Sequence, residues 1–417
     1  MTKRRTFLKY SAMALPAVWM NLNATKGLAA IEDEEDRGDE WKKIRKEFEL
    51  DKKQIFLNNG TMGPSPRVVT EAVVDSLREI DRTASYGGWE TATKEIARFF
   101  GASEEEICLT HNVTDGINIV AQGLPLKEGD EIIISNQEHV GNALPWLARA
   151  QRDKLVIRVL DLTLPNDELL PALQKLIGQR TRVIALPHIP CTNGRILPVE
   201  EIGVIAKENK LHYFLDGAHG PGMLDLNLGT MNCDFYATCT HKWMLGPKGT
   251  GFLFIRKDKL QSITPIFTGA YSDTGWNLID GDPRILGWSQ VASRHLNGTQ
   301  NRSLFDGVIA AIAFHEKIGK QKIAARIREL NDHLYAHLAP IKGIKIITPI
   351  QERAGLCSFT FENRDYLDFQ RYCTDRNLVI RAVPENEVNA IRISTHIYNS
   401  TEEIDTFVRT LTEYLHA

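Results

Sequence analysis

From residue 91 onward, short apolar runs alternate with longer stretches whose apolar residues recur at helical spacing, and no other feature narrows the fold as far. Apolar runs of about four to eight residues read as strands buried on both faces, and a period of about 3.6 reads as a helix lying on a sheet. Strands are expected at 107–110, 131–135, 155–159, 182–186, 212–216, 234–240 and 251–255. Helices are expected at 114–123, 142–151 and 199–207, the first with its apolar residues at 117, 120, 121 and 124. Such repetition predicts an α/β fold, a mostly parallel sheet with helices on both faces. Past about residue 340 the order changes to strands at 344–348 and 356–361, a helix at 365–376, a strand pair at 378–381 and 391–394, and a last helix at 401–415. This reads as a smaller α+β domain, with the early segment 39–46 packed against it.

The 417 residues suffice for a large core and more than one domain. A formal net charge of −3 gives no reason to expect a nucleic-acid partner. The cysteines at 108, 191, 233, 239, 357 and 373 show no Cys-x-x-Cys spacing and no histidine at ligand spacing, so no metal site is expected. Four of them lie in apolar runs and read as small core residues.

The start of the chain is different. Lys3-Arg4-Arg5-Thr6-Phe7-Leu8-Lys9 resembles a twin-arginine export signal, and the apolar stretch at 10–22 is too short to span a bilayer as a helix. Residues 1–30 are therefore expected to be a signal peptide read by the twin-arginine translocation machinery, with the mature protein in a bacterial periplasm. That route carries folded proteins, so a cofactor can be loaded before export. The acidic run at 32–36 reads as a solvated linker. The expected organisation is an N-terminal arm at 31–60, a large domain at 61–335 and a small domain at 336–417.

Two motifs carry chemistry. Leu215-Asp216-Gly217-Ala218-His219 follows one expected strand, and Thr240-His241-Lys242-Trp243 follows another, which puts Asp216 and Lys242 at one edge of the sheet. Singly, a strand-end aspartate is ordinarily a turn or cap, and a lysine is ordinarily solvated. Together they are the pair that pyridoxal 5'-phosphate (PLP) requires. The lysine forms a Schiff base with the cofactor aldehyde, and the carboxylate keeps the pyridine nitrogen protonated. Lys242 lies in His-Lys-Trp-Met-Leu-Gly-Pro-Lys-Gly-Thr-Gly-Phe-Leu-Phe, residues 241–254. This run resembles the cofactor-lysine signature of the class V aminotransferase family, and within it the isopenicillin N epimerase-like branch. The resemblance extends over roughly residues 40–415. It implies PLP fold type I, with a large domain built on a mostly parallel seven-stranded sheet and a small C-terminal α+β domain.

The remaining candidates follow from position and from that resemblance. Thr114, in His111-Asn112-Val113-Thr114-Asp115-Gly116, sits where a helix start would hold a phosphate. Taken alone, Thr114 or Asp115 reads as an ordinary N-cap, and Asp115 is given no phosphate role. His139 follows a strand at its carboxyl end, where open α/β sheets bind ligands, and the resemblance implies that it stacks on the pyridine ring. In His188-Ile189-Pro190-Cys191-Thr192-Asn193-Gly194, Cys191 stands where the family places an asparagine that bonds the cofactor's phenolic oxygen. Thr192 or Asn193 is the candidate substitute. His219 is expected to hold Asp216 or touch the ring, and His241 to contact the phosphate. Thr299, in Asn297-Gly298-Thr299-Gln300, reads either as a turn with a helix cap or as a contact to the neighbouring subunit's phosphate. The second reading makes the enzyme a homodimer with shared active sites. Arg392, in an apolar strand, is implied as the fork for a substrate α-carboxylate. Asn59, in Asn58-Asn59-Gly60-Thr61-Met62-Gly63-Pro64, is implied in the substrate pocket, which Tyr86, Trp89, Tyr271 and Trp276 also could shape.

The substrate expected is a small molecule, a free amino acid or an amino-acid residue of an exported peptide or metabolite. Amino-group transfer is the first reading. Epimerisation and carbon–sulfur lysis are the alternatives, and all three begin with Lys242 removing the α-proton. A cysteine desulfurase needs a nucleophilic cysteine shortly before the carboxylate arginine, and 379–392 contains none. A protein that only binds ligand would have no need of Lys242 and Asp216.

Overall fold

The computed structural model describes residues 40–85 and 87–417. The expected signal peptide at 1–30, the acidic linker and Tyr86 lie outside the described residues. In chain order the strands are β1 (Ile55–Phe56), β2 (Ile107–Thr110), β3 (Glu131–Ser135), β4 (Val156–Leu160), β5 (Thr181–Pro187), β6 (His212–Asp216), β7 (Phe235–Cys239), β8 (Gly251–Ile255), β9 (Asp273–Asn277), β10 (Arg284–Trp288), β11 (Ile344–Ile346), β12 (Leu356–Phe361), β13 (Leu378–Val379), β14 (Arg381–Val383) and β15 (Ala390–Ser394).

Seven of them form one sheet in the order β2-β8-β7-β6-β5-β3-β4. β8 runs antiparallel to both neighbours, and the pairs from β7 to β4 are all parallel. Every residue of β3, β6, β7 and β8 apart from His212 is buried, as a sheet covered on both faces requires. The edge strand β4 shows solvent a Val159 that is half exposed. Trp146, on the helix Val140–Asp153, is fully buried and packs edge-on against Phe214 of β6, with ring centroids 6.0 Å apart. The chain leaves β3 toward β4 on one side and leaves β5 toward β6 on the other. The loops after β3 and β5 therefore part from each other and open a crevice at the carboxyl edge.

The C-terminal part is a four-stranded antiparallel sheet, β11-β12-β15-β14, packed on the helices Lys320–Leu338, Tyr366–Thr374 and Thr401–His416. Its core includes Leu330, Leu334, Phe359, Phe369, Ile391, Ile393, Phe407 and Leu411. Two expectations change here. The strand expected at 378–381 splits, because Leu378 and Val379 pair in parallel with Ile55 and Phe56 while Arg381 lies opposite Arg392. The strand expected at 344–348 stops at Ile346, and the Thr348 hydroxyl accepts the Ser358 N–H at 2.7 Å in place of a ladder bond. The arm begins with the short helix Glu40–Arg45, whose Arg45 donates to Glu403 at 2.6 Å and to the Tyr398 carbonyl. Among the described residues no helix is long and apolar enough to cross a membrane.

Candidate active site

β6 and β7 deliver the two motifs to one edge. Asp216 is the last residue of β6, and its carboxylate accepts the Ala218 N–H at 2.9 Å. The turn after it must be glycine, since a Cβ on Gly217 would lie 1.9 Å from the Tyr236 ring. That ring is pinned in turn, its hydroxyl 2.9 Å from His188 Nδ1. Asp216 is buried, and burial pushes its pKa up against the opposing pull of the Ala218 N–H and Lys242. A dry carboxylate beside one amide donor calls for a further cationic or N–H partner.

Lys242 follows β7 on a loop that the segment 58–64 closes over. Gly63 donates to the His241 carbonyl at 2.7 Å, and a Cβ on Gly63 would fall 2.2 Å from the Lys242 carbonyl oxygen. Lys242 Nζ is 3.4 Å from His219 Nε2. His219 Nδ1 accepts the indole N–H of Trp243 at 2.9 Å. An indole nitrogen only donates, so the proton of a neutral His219 sits on Nε2, facing the lysine. Burial holds the imidazole well below its ordinary pKa, with the Lys242 and Arg392 charges adding to the effect.

The helix Val113–Gly123 starts at the same edge. Its N-cap is Asn112, whose side chain accepts the Asp115 N–H at 3.1 Å, and not Thr114 or Asp115. Asp115 turns back to the His111 N–H at 3.0 Å and ring nitrogen at 2.8 Å, away from the first helical turn. Thr114 is thereby left free of capping duty at a helix start rich in unpaired N–H groups. Thr114 Oγ1 and His139 Nδ1 lie 3.0 and 3.1 Å from the point a Gly141 Cβ would occupy, so the three residues meet. His139 Nδ1 accepts the Gly141 N–H at 3.0 Å, which again places the proton on Nε2. Burial, then the charges of Lys242 and Arg381, lower its pKa to about 4. His241 Nδ1 is buried without a hydrogen-bond partner, and burial lowers the pKa of this ring to about 4 as well.

Arg392, on β15, is 1% exposed. It donates to the Cys191 carbonyl at 3.0 Å and to Thr61 Oγ1 at 3.1 Å, and its Nε has no partner. These partners are neutral, so the guanidinium stands ready for an anion; burial lowers its pKa to about 9 and leaves it charged at neutral pH. Asn59 is engaged elsewhere, its Oδ1 accepting from the Tyr398 hydroxyl at 3.0 Å, and the residues of that segment at Arg392 are Thr61 at 3.1 Å and Asn58 at 3.5 Å. Of the two expected substitutes for the missing asparagine, the Thr192 hydroxyl is engaged as a donor, while Asn193 is engaged only through its acceptor oxygen. The Thr192 hydroxyl donates to Gln137 at 2.6 Å, and Asn193 Oδ1 accepts the Arg195 N–H at 3.1 Å. The donor that the structure places beside Lys242 is His219 Nε2–H. Thr299 is exposed, and the helix cap near it is Asn301, whose side chain accepts the Leu304 N–H at 3.3 Å. Trp89 and Tyr271 pack edge-on at 5.0 Å, while Trp276 is exposed on the hairpin of β9 and β10.

One part of the site escaped the sequence reading. Glu138 is buried, accepting from Ser135 N–H at 3.0 Å, Ser135 hydroxyl at 2.6 Å and Asn142 at 2.7 Å; Asn142 accepts the Trp146 indole N–H at 3.1 Å. This chain of bonds braces the residue before His139. Its only trace in the sequence is the spacing of 138, 142 and 146 along one helical face.

Fold and site together define a PLP enzyme of fold type I. Residues 73–407 match the family described as Aminotransferase class-V, and the chain belongs to it. It is 32% identical over 390 residues to the isopenicillin N epimerase of Streptomyces clavuligerus, covering 88% of this chain and 96% of that one. It is 28% identical over 393 residues to a probable cysteine desulfurase of Methanothermobacter thermautotrophicus, covering 89% and 97%. Among solved structures, the cystine C-S lyase C-DES, as a lysine-to-alanine mutant with glycine covalently linked to its PLP cofactor, superposes with a TM-score of 0.81 at 25% identity, covering 88% of this chain and 99% of that one. The class is PLP-dependent, and so is this chain. Its residues fit the cofactor: a buried carboxylate with no ion-pair partner among the described residues, a lysine amine within reach of His219, an orphaned ring nitrogen on His241 and an open helix start.

Proposed function

We propose that the protein catalyses amino-group transfer from the α-carbon of an amino acid. The observation that carries this reading is the placement of Lys242 Nζ 3.4 Å from a tautomer-locked His219, beside the buried Asp216. When bound, PLP supplies an aldehyde for the substrate amine and a ring that takes up the electron pair left at the α-carbon. Asp216 would keep the pyridine nitrogen protonated, and His219 Nε2–H would bond the phenolic oxygen in place of the absent asparagine. Thr114, His241 and the helix start at Val113 would hold the phosphate, with His139 over the ring. Arg392 grips the α-carboxylate and so orients the α-hydrogen. Lys242, as a free amine, would take that proton on Nζ and, for amino-group transfer, would give it up to the cofactor and not back to the α-carbon.

A second reading, epimerisation, has two supports: the likeness to isopenicillin N epimerase, and a neutral His139 whose Nε2 carries a proton to deliver from another direction. Desulfuration of cysteine is disfavoured. β14 and the turn after it carry no cysteine; the thiols nearest in sequence, Cys357 and Cys373, are buried with pKa values pushed up to about 12, and burial also raises the pKa of Cys191, whose carbonyl meets Arg392. Mixing the holoenzyme with single amino acids separates these outcomes. Stoichiometric keto-acid release supports transfer; inverted substrate or a cleavage product overturns it in favour of epimerase or lyase.

The enzyme is proposed to act as a homodimer after export to the periplasm. Trp276, Leu278, Ile279, Ile285 and Leu286 leave an apolar surface on the β9–β10 hairpin that a monomer would rarely expose. Ser272, at the base of that hairpin, bonds the Leu296 carbonyl at 3.4 Å, so the hairpin and the Thr299 turn adjoin.

A further inference from the structure

The segment where a desulfurase needs its cysteine carries an ion pair instead, and we propose that this pair, Arg381 and Glu385, reads the far end of the substrate. The ligand class it fits is an amino acid whose side chain ends in a second ammonium and carboxylate. This rests on the α-carbon reading above and extends it to specificity.

Arg381 stands directly opposite Arg392 in the β14–β15 register, so the two guanidinium-bearing residues are cross-strand neighbours. Arg381 Nη2 donates to Glu385 Oε1. Each partner keeps a buried atom with no hydrogen bond, Nη1 on Arg381 and Oε2 on Glu385. The pair lies within electrostatic reach of the chemistry. Both charges act on His139 and on Cys191, and that of Arg381 acts on His219. The turn that presents Glu385 is held in an unusual backbone: Asn386, Glu387 and Asn389 have φ of 50°, 59° and 51°. Non-glycine residues adopt that region at a cost, and such positions gather at ligand clamps. Asn386 Nδ2 donates at 3.3 Å to the carbonyl of Glu138, the residue before His139, which ties the turn to the cofactor side of the crevice.

Buried polar atoms are ordinarily paired, and this ion pair leaves one unpaired on each of its two members. The charges also dictate what completes them. A ligand with only a distal carboxylate meets Arg381 but is repelled by Glu385. One with only a distal ammonium meets the reverse. A ligand carrying both gives its carboxylate to Arg381 Nη1 and its ammonium to Glu385 Oε2, satisfying both atoms with no net charge added.

The test is titration of the holoenzyme with four probes, following the visible absorption of the bound cofactor: meso-2,6-diaminopimelate, L-2-aminoadipate, L-lysine and L-norleucine. Diaminopimelate is expected to bind at least about tenfold more tightly than each of the others. In Arg381→Gln and Glu385→Gln that preference is expected to fall below about threefold. Should Arg381→Gln not fold, by its circular dichroism, Glu385→Gln decides alone: it should close the gap between diaminopimelate and aminoadipate. Equal affinities in the unmodified enzyme, or a preference that survives both substitutions, would overturn the inference. A spectrum that responds to none of the four would instead overturn the α-carbon reading on which it rests.

Discussion

Replacing Trp243 with phenylalanine removes one N–H from the centre of the site, together with the part of the buried indole that packs on Gly355. The indole nitrogen donates to His219 Nδ1 at 2.9 Å, both side chains are buried, and the ring also stacks on His396 with centroids 5.7 Å apart. Phenylalanine keeps an aromatic face for His396. It leaves Nδ1 dry and unpaired, which costs about 1–3 kcal/mol, or else lets His219 move its proton to Nδ1. Either outcome weakens the Nε2–H donor facing Lys242. A loss of about 1.4 kcal/mol at the reacting centre slows turnover about tenfold. Scanning calorimetry should show a lower unfolding temperature, and long-range nitrogen–proton correlation spectra of the histidine rings should show His219 leaving the pure Nε2–H form. If Trp243→Phe kept both its stability and a single Nε2–H tautomer, the account of how His219 is oriented would be wrong.

Four further outcomes are expected. Lys242→Ala should abolish covalent retention of PLP on dialysis and lower turnover by about 10²–10⁴, read by cofactor absorbance and product formation. Gly217→Ala forces a Cβ to within 1.9 Å of Tyr236 and should destabilise by about 3 kcal/mol or fail to yield soluble protein, measured by thermal unfolding. Glu138 has its pKa raised from 4.5 to about 8 by burial, so the stability linked to its neutral form is full at low pH and lost as pH rises through about 8. Denaturant midpoints should therefore fall from pH 5 to pH 8 less steeply in Glu138→Gln than in the unmodified protein. All six cysteines are buried and free, so iodoacetamide under native conditions should leave activity intact, whereas a persulfide-forming enzyme would be inactivated.

The seven strands of the large sheet and three of the helices beside them were legible because hydrophobic period is a local property, written within each run of residues; the helix Asn166–Leu176 between β4 and β5 was not read. The Asp216–Lys242 pair was legible too, since two consecutive sheet strands carry both residues to one edge whatever surrounds them. Tertiary structure alone decided what these residues touch. The indole of Trp243 chooses the tautomer of His219 from 24 residues away, and Arg392 meets the Cys191 carbonyl across 201. Asn112 took the cap that Thr114 or Asp115 might equally have held on local grounds, because a side-chain hydrogen bond depends on where the loop before the helix turns. The strand read at 378–381 divided because two different partners, the N-terminal arm and β15, compete for its backbone. Hydrogen-bond partners and charge neighbours are set by the packing of elements far apart in the chain, and a pattern of hydrophobicity along the sequence carries no record of them.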